Sequence, residues 1–501
     1  MEIIRKLGAN SAIYAATNLM QKGTAFLLMP LYTLYLDPSA YGVLAIVTAV
    51  NGFLSIAFTF GLTGAVTRFY VEYQEDPPQL AEFWGTILGF VLLLSLVVGG
   101  TVLAIGQALL KPIIGAVPFW PYVALGVMST FFQPFFATFL AVLQTRNQAP
   151  RYALISLAHF ALTALLTIAM VVLLGWGVVG ALSATLVAAA VFFAVSIWLL
   201  RTEITPCLRL SHLRRALSYS LPQVPHAVAS QTTAITDRII INGQLGTAAA
   251  GLYSVGAMVA MVVEVVAQSV NRAYVPLSLA ALKEGRPEDL KQLHAVGAVV
   301  VAGFCLLGAT IGCLGREIVW LLASPAFTDA AQVTPILAFA GVASAIYYLF
   351  VNALFYDLVA IRLLPLGTFS AAILNIALAL ALVPRFGLIG AAVSTLSAQV
   401  LATLLIGWIA RRFDAVSWDY ARYAMAFAAS LAATLWLATI DAGVAAATVA
   451  LKLGGIALLA AILGTLFWSR PLIVWLAVWR LLGRRPAEAA ALFVSPRSAA
   501  P

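Results

Sequence analysis

Leu221–Tyr253 has the sequence LPQVPHAVASQTTAITDRIIINGQLGTAAAGLY, and this segment determines how the rest of the chain is interpreted. Most of its side chains are apolar enough for a lipid bilayer, but it contains a histidine, several hydroxyl groups and the adjacent residues Asp237 and Arg238. An ionisable side chain inside a spanning helix costs about 2.5 to 3.5 kcal/mol even on a lenient scale, so such groups normally face protein or a wet cavity. The segment therefore predicts a membrane helix with one polar side.

The polar residues of this segment follow the spacing of one helix face. Four of them lie four, three and four positions apart, so a single stripe of an α-helix would carry them all. They are His226, Ser230, Thr233 and Asp237. We expect this stripe to line a central polar cavity, and the helix to open the second half of a membrane transporter.

The composition is typical of a membrane protein. Of the 501 residues, 63% are hydrophobic and 9% are charged, whereas soluble domains have about 45–50% apolar and about 25% charged residues. Hydropathy predicts an all-α polytopic protein with fourteen membrane helices, each long enough for the roughly 20 apolar residues that a bilayer requires. The predicted limits are 10–36, 41–67, 83–110, 119–143, 152–174, 177–200, 216–241, 250–275, 292–314, 332–356, 363–383, 387–410, 419–440 and 446–468.

The net charge of +9 reflects membrane topology and does not indicate a nucleic-acid partner. With the N-terminus in the cytoplasm, 22 of the 28 Lys and Arg residues lie on the cytoplasmic side, four lie outside and two lie within spans. The positive-inside rule produces this distribution, and a wrong number of spans would destroy it. We therefore expect a multi-pass protein of a bacterial inner membrane with both termini cytoplasmic.

Two landmarks in the first half of the chain return in the second half. YGVL at 41–44 corresponds to AGLY at 250–253, and GVVGA at 177–181 corresponds to GLIGA at 387–391. The offsets are 209 and 210, which indicates duplication of a six-span unit. Because six is even, the halves share one orientation and are related by a pseudo-two-fold axis along the membrane normal. Transporters built in this way bind substrate between the halves.

The predicted organisation has four parts. Residues 1–205 form an N-terminal six-helix bundle and residues 206–412 a C-terminal six-helix bundle. Residues 413–470 contain two additional membrane helices, and residues 471–501 form an interfacial segment and a disordered cytoplasmic tail.

The first span has a polar stripe like that of the seventh. Its hydrophilic residues lie three or four positions apart, with Asn18 and Lys22 beside them. They are Asn10, Tyr14, Thr17, Gln21 and Thr24. Since the first helix of each half carries a polar face, we expect both faces to border the same cavity.

Four segments of the chain resemble a known family. They are NSAIYAATNLMQKGTAFLLMPLYTLYLDPSAYG at 10–42, GLTGAVTRFY at 61–70, LQTRNQAPRYALIS at 143–156 and DRIIINGQLGTAAAGLYSV at 237–255. With these features the chain resembles the Wzx-type oligosaccharide flippases of the multidrug/oligosaccharidyl-lipid/polysaccharide (MOP) exporter superfamily. The resemblance implies two six-helix bundles around a V-shaped cavity, and transfer of an undecaprenyl-pyrophosphate-linked oligosaccharide from the inner to the outer leaflet for surface polysaccharide assembly.

The same resemblance implies the partners. They are the lipid-linked oligosaccharide substrate, membrane lipids, a polysaccharide polymerase and a chain-length regulator, with the protein itself a monomer. The lipid II flippase branch of the superfamily lines its cavity with several arginines. This chain offers fewer cations, which argues against lipid II as the cargo. They are Lys22, Arg68, Arg238 and Arg272.

The resemblance to oligosaccharide flippases assigns a role to each polar residue that is a candidate for the substrate site. Lys22 and Arg238 would contact the pyrophosphate, and Arg68 and Arg272, at the cytoplasmic ends of spans, would meet it on entry. Amide, imidazole and hydroxyl groups would bind the sugars. These are Asn18, Gln21, His226, Ser230 and Thr233.

Two carboxylates are candidates for coupling transport to H⁺ or Na⁺. They are Asp237 and Glu264, and both lie within predicted spans. Structural alternatives remain open at this point. Asp237 and Arg238 could fasten helix bundles together, and Glu264 could pair with a cation. Lys22 could extend to the membrane surface or pair with a carboxylate, and the two cytoplasmic arginines could be interfacial anchors.

The sequence contains no enzyme constellation. It has no Gly-rich phosphate loop with a lysine and no metal-spaced His or Cys cluster, so we expect neither ATP hydrolysis nor a cofactor or metal site. Two other functions remain as alternatives. An ion-coupled multidrug exporter of the same superfamily would favour cavity carboxylates over cations. A membrane glycan polymerase or glycosyltransferase would be expected to show a long loop with catalytic carboxylates or arginines, and the sequence has no such loop.

Overall fold

The computed structural model of the chain describes residues 26–354, 363–413, 416, 418–441 and 445–467, together with Thr17 and Met20. All regular elements in these ranges are helical, as the sequence predicts. Eleven helices within the described ranges are long and apolar enough to span a membrane. The chain is a multi-pass membrane protein of the all-α class.

The helices are numbered here in chain order. They are α1 Phe26–Tyr35, α2 Pro38–Thr59, α3 Leu62–Tyr73, α4 Pro77–Leu109, α5 Lys111–Ile114, α6 Ala124–Thr145, α7 Ala149–Thr167, α8 Gly177–Leu200, α9 Leu210–Ser220, α10 Val224–Leu245, α11 Thr247–Glu284, α12 Pro287–Cys313, α13 Gly315–Leu322, α14 Thr334–Leu354, α15 Leu364–Phe413, α16 Tyr420–Ala438 and α17 Ala445–Phe467. Short π-helical segments, Phe119–Val123 and Ile168–Leu173, precede α6 and extend α7.

The described helices correspond to the fourteen predicted spans. The eleven apolar helices include α15, which contains two predicted spans; α10 is too polar to be counted by hydropathy alone, and α1 belongs to the first span. The predicted span 41–67 is divided between α2 and α3, because Phe60 and Gly61 adopt left-handed φ angles of 42° and 71°. The predicted span 216–241 is divided between α9 and α10 by a 3₁₀ turn at Leu221–Gln223.

Two of the spanning helices begin with the same capping arrangement. Asp37 and Asp76 each accept a hydrogen bond from the backbone N–H three residues further on, at 2.7 and 3.1 Å. A proline follows each aspartate, where its missing N–H costs no helical hydrogen bond. These caps fix where α2 and α4 begin.

The chain divides into two compact units, residues 1–254 and 255–501, and the division falls within α11. In the first unit, α6 packs against α8 and α2, and α10 packs along α2. In the second unit, α14 packs against α12 and α15, and α16 packs against α12 and α17. The predicted bundle limits at residues 205 and 412 stay predictions, and residues 468–501 lie outside the described part.

The local geometry of the two GxxGA landmarks repeats. Gly177 and Gly387 both have positive φ angles, 55° and 58°, which favour glycine because a Cβ atom is strained there. At Gly180 and Gly390, an added Cβ would collide with a carbonyl oxygen of the preceding helical segment. The same tight reversal therefore joins two spans in each half, in agreement with the repeat inferred at an offset of 210.

Candidate substrate and ion-coupling site

The helix α10 carries the polar stripe on which the sequence interpretation depends. It begins after the 3₁₀ turn, with Pro225 in its first turn, where proline is tolerated. It ends at Leu245, where Gly246 has a φ of 89° and reverses the chain into α11. Span seven is thus interrupted near its start by a 3₁₀ turn, and the backbone of its polar residues belongs to a regular helix.

Asp237 is buried in the first unit, with 4% of its surface exposed. The Tyr253 hydroxyl of α11 donates a hydrogen bond of 2.6 Å to Asp237 Oδ2. One residue along both helices, Arg238 Nε donates a hydrogen bond of 3.1 Å to Ser254 Oγ. The two bonds have the same sequence separation, so they form consecutive links between α10 and α11. We refer to these four residues as the Asp237–Arg238 cluster.

The adjacent charges of the cluster have different partners. On a helix, neighbouring residues point about 100° apart, which agrees with the separate bonds of Asp237 and Arg238. Arg238 is half-buried and also acts electrostatically on the buried Tyr41 of α2. The carboxylate does not face lipid, since it is enclosed by protein.

The end of α10 beyond the cluster is fastened to other elements of the first unit. Asn242 Nδ2 donates a hydrogen bond of 2.9 Å to the Ile114 carbonyl at the end of α5. The Ser39 and Thr247 hydroxyl groups, at the starts of α2 and α11, lie 2.7 Å apart. Both contacts lie at the end of the helices that the predicted topology places outside.

The starts of α2 and α11 also meet backbone to backbone. A Cβ atom added to Gly42 would collide with the Thr247 carbonyl and lie 3.1 Å from the Gly251 nitrogen. A Cβ atom added to Gly251 would collide with the Pro38 carbonyl and lie 2.9 Å from the Gly42 nitrogen. Only residues without a side chain allow this approach.

Glu264 forms a second polar group, within the second unit. Its Oε1 accepts hydrogen bonds from the Tyr348 hydroxyl at 2.8 Å and from Gln268 Nε2 at 2.9 Å. One turn further along, Asn352 Nδ2 of α14 donates to Asn271 Oδ1 of α11 at 2.6 Å. The polar partners that the structure describes for Glu264 are a phenol and an amide, and the roles predicted for this carboxylate stay predictions.

The cytoplasmic arginines of the prediction have different surroundings. Arg68 Nη1 lies 3.1 Å from Glu72, and the same carboxylate lies 2.5 Å from Arg215 of α9. Arg68 is therefore part of a network that holds α9 against α3. Arg272 is exposed on α11. The two belong to different units, and the role of each toward a substrate stays a prediction.

Six predicted site residues cannot be placed by their side chains. Asn18, Gln21 and Lys22 lie outside the described residues. The backbones of His226, Ser230 and Thr233 belong to α10, but their side chains lie outside the described part. Within the described ranges, no group of three or more His, Cys, Asp or Glu side chains could hold a metal ion.

Sequence reasoning missed a buried ion pair of the second unit. Lys452 of α17 is fully buried, and its ammonium group lies 2.5 Å from Glu317 Oε1 of α13. Nearby in sequence, Arg316 pairs with Asp441 at 2.8 Å. Charged residues isolated in apolar segments are a signal for such a pair, but Glu317 and Lys452 lie 135 positions apart, so the sequence does not indicate that they pair with each other.

Comparison with known proteins places the chain in a family. The model of the family described as "Polysaccharide biosynthesis protein" matches residues 7–280, more than half of the chain. The chain belongs to this family. A protein of the Lsg locus of Haemophilus influenzae is 27% identical over 299 residues, covering 58% of this chain and 70% of that protein. An uncharacterized membrane protein of the same organism is 25% identical over 291 residues, covering 57% of this chain and 68% of that protein.

Solved transporter structures share the fold of this family member. The lipid II flippase MurJ in an inward closed conformation has a TM-score of 0.68 at 13% identity, covering 91% of this chain and 98% of the flippase. An inward-facing multidrug resistance MATE transporter of the MOP superfamily has a TM-score of 0.61 at 18% identity, covering 78% of this chain and 94% of the transporter. The predicted fold class, an all-α polytopic membrane protein, is confirmed, and these transporters share that fold.

Proposed function

We propose that the protein is a secondary transporter that moves an undecaprenyl-pyrophosphate-linked oligosaccharide from the inner to the outer leaflet of a bacterial inner membrane. Both termini lie in the cytoplasm, and the protein performs no enzymatic step. The observation that carries the proposal is the Asp237–Arg238 cluster, a buried carboxylate and a half-buried guanidinium inside a membrane helix. Membership of a polysaccharide biosynthesis family and the fold shared with a lipid II flippase support the cargo class.

The cargo requires a polar route through the membrane. A pyrophosphate-linked sugar carries several hydroxyl groups and negative charges, and moving a bare ion into hydrocarbon costs on the order of tens of kcal/mol. In the proposed mechanism Lys22 and Arg238 replace water around the pyrophosphate, since guanidinium and ammonium groups form strong charge-assisted bonds to phosphate. Polar side chains bind the sugars, and the prenyl chain stays in lipid. These side chains are Asn18, Gln21, His226, Ser230 and Thr233.

Alternating access gives a role to the contact of α2 with α11. In the proposed cycle, Gly42 and Gly251 separate when the outer side opens and meet again when it closes. Arg68 and Arg272 are proposed to meet the pyrophosphate on the cytoplasmic side. Arg68 would have to exchange its contact with Glu72 for the phosphate, which an exposed ion pair allows at small cost.

Ion coupling is proposed at the two carboxylates, Asp237 and Glu264. Each accepts a hydrogen bond from a tyrosine hydroxyl, Tyr253 and Tyr348 respectively. Binding of H⁺ or Na⁺ to either carboxylate would change these bonds, and thereby the attachment of α11 to its neighbours. This gives an ion a way to favour one conformation over another.

The direct test follows the lipid-linked oligosaccharide. In the parent bacterium, deletion of the gene should leave the lipid-linked oligosaccharide in the cytoplasmic leaflet, protected from a membrane-impermeant glycan oxidant applied to intact spheroplasts. Arg238→Ala should reproduce this protection at normal protein abundance, because it removes a phosphate-binding cation. Arg412→Ala is the matched control, since Arg412 lies exposed over Trp408 at the end of α15. Oxidation of the glycan at the wild-type rate in the deletion strain would refute the proposed function.

An ion-coupled multidrug exporter is the second candidate. The two membrane carboxylates, Asp237 and Glu264, and the fold shared with a multidrug resistance MATE transporter favour it. It predicts that the deletion strain becomes sensitive to cationic drugs while its lipid-linked oligosaccharides reach the outer leaflet normally.

A further inference from the structure

A cleft of about 390 Å³ opens on the first unit between α4 and α8. Gly89 lies on one wall and Ile197 on the other, and Phe135 of α6 forms part of the floor. Cys207 and Leu208, from the segment between α8 and α9, close one end. The cleft is separate from the Asp237–Arg238 cluster, and nothing in the proposed transport mechanism uses it.

Two glycines of α4 explain why the cleft exists. At Gly85 an added Cβ would collide with the Thr205 carbonyl, so the connecting segment lies directly on the helix backbone. The Thr205 N–H donates to the Ala81 carbonyl at 3.1 Å and holds the segment there. One turn later, the nearest atom to an added Cβ at Gly89 is Leu208 Cδ2, at 3.5 Å. A Cβ atom at Gly89 would therefore reach ordinary van der Waals contact with the connecting segment, and a larger side chain would extend into the cleft that Gly89 lines.

The cleft is suited to hydrocarbon. Its one hydroxyl side chain, Ser196, is fully buried and donates its hydrogen bond to the Phe192 carbonyl of its own helix at 2.6 Å. Of the residues that line the cleft, Ile197 is itself exposed, and Leu93 and Leu96 are exposed on α4, the helix that carries Gly89. A chain that fills such a space gains van der Waals contacts that a fluid bilayer does not supply.

The helix α8 ends at Leu200, which lines the cleft, and the next residue is the cation Arg201. Arg201 follows Ile197 by four residues, the spacing that places two residues on one helix face, and its guanidinium lies 5.1 Å from the ring centre of the exposed Trp198. Exposed Trp and Arg at the end of a spanning helix are typical of the membrane–water boundary. Arg146 and Arg209 pair with Glu203 and Glu82.

Arg201 differs from these neighbours, because no carboxylate of the described residues lies within ion-pair distance of it. The hydrocarbon-lined cleft and this cation together match a lipid with an apolar chain and a negative head group. We propose that the cleft binds one acyl chain of an anionic phospholipid, with the lipid phosphate on Arg201. Because the connecting segment forms one end of the site, a bound lipid would hold that segment against α4.

The test uses the purified full-length chain and two lipids with identical acyl chains, dioleoyl phosphatidylglycerol and dioleoyl phosphatidylcholine. Native mass spectrometry should show one tightly bound phosphatidylglycerol. Arg201→Gln should weaken its binding about tenfold, to the level of phosphatidylcholine, because a charge-assisted hydrogen bond is lost. Gly89→Leu should fill the cleft and remove binding of both lipids. Gly100→Leu is the matched control, since Gly100 lies exposed on the same helix with no atom near its missing Cβ.

A second measurement needs no variant. Cys207 lines the cleft, whereas Cys305 and Cys313 are buried, so alkylation by N-ethylmaleimide reports on Cys207. Phosphatidylglycerol should slow this reaction several-fold relative to phosphatidylcholine. Equal alkylation in both lipids, or unchanged lipid binding in Gly89→Leu, would overturn the proposal. Displacement of phosphatidylglycerol by much lower concentrations of undecaprenyl phosphate would also overturn it, by assigning the cleft to a polyprenyl chain.

Discussion

Gly42 and Gly251 each lie against the backbone of the other's helix, in a reciprocal arrangement. Gly42 meets the carbonyl of Thr247, four residues before Gly251, and Gly251 meets the carbonyl of Pro38, four residues before Gly42. Gly42 and Gly251 are 209 positions apart, and so are Pro38 and Thr247, which is the offset of the repeat seen in the sequence. The contact is therefore reciprocal, with corresponding residues of the repeat in corresponding places.

A methyl group at either glycine should disturb this contact. Gly42→Ala and Gly251→Ala should each lower stability by about 1–3 kcal/mol, the usual cost of overpacking, and should reduce transport. Thermal unfolding of the purified protein and the amount of surface polysaccharide would measure the two effects. Gly243→Ala is the control, because Gly243 of α10 has open space around its missing Cβ. Wild-type stability in both variants would show that the helices do not touch in the membrane.

The bond between Tyr253 and Asp237 should contribute measurably to stability. Tyr253→Phe and Asp237→Asn should each cost about 1.5–3 kcal/mol, because each removes or weakens a buried hydrogen bond to a charged group. The double variant should cost less than the sum of the two, and a double-mutant cycle would show this coupling. Tyr35→Phe, at an exposed position of α1, serves as the control. Strict additivity would contradict the observed contact.

The buried pair of Lys452 and Glu317 should respond differently to single and double replacement. Lys452→Met alone should destabilise the protein by about 1–3 kcal/mol, since it leaves the half-buried Glu317 carboxylate without its cation. Lys452→Met combined with Glu317→Leu should recover most of the loss, because no charge is then left unpaired. Melting temperatures in one detergent would compare the variants. A double variant as unstable as the single one would argue against the ion pair.

The stability of the packing of α9 against α3 and α4 should depend on pH, because His212 of α9 lies in this contact. This residue is buried against Tyr73 and Phe83, and burial lowers the pKa of its imidazole below the ordinary value. The positive charges of Arg209 and Arg215 act in the same direction, whereas the Glu82 carboxylate opposes them. Because folding disfavours the protonated ring, stability should be constant above about pH 6.5 and should fall as the pH decreases below it.

The measurement is the melting temperature of the wild-type protein and of His212→Phe at several pH values. Phenylalanine keeps the ring contacts of His212 and removes its titration. The loss of stability between about pH 7.5 and about pH 5.5 should therefore be smaller in the variant. Identical pH profiles would show that another group causes the dependence.

Much of the fold could be predicted from the sequence, because the hydrophobicity and length of a segment determine almost directly whether it forms a membrane helix. The glycines at 177 and 387 also revealed the repeat, since they occupy a backbone conformation that other residues avoid. The break at Phe60 was not accessible, because a phenylalanine in a left-handed conformation leaves no signal in hydropathy. The same holds for α9, whose separation from α10 depends on local packing as well as on Pro222.

Only part of the candidate site could be predicted from the sequence. Helical spacing identified Asp237 and Arg238 as unusual, and the structure describes a hydrogen bond from each of them to a residue of α11. Their partners could not be inferred, because a tyrosine or serine in the next helix is unremarkable in sequence. The partners of Glu264 depend in the same way on the packing of α11 against α14, which periodicity alone does not determine.

The ion pair between Lys452 and Glu317 has a consequence for shortening this chain. Removal of α16 and α17 would strip the half-buried Glu317 of its ammonium partner, whereas the exposed Arg316 would lose its exposed partner Asp441 at small cost. A twelve-helix version of the protein is therefore not obtained by truncation alone. It would also require a neutral residue at 317, so α16 and α17 are an integral part of the second unit.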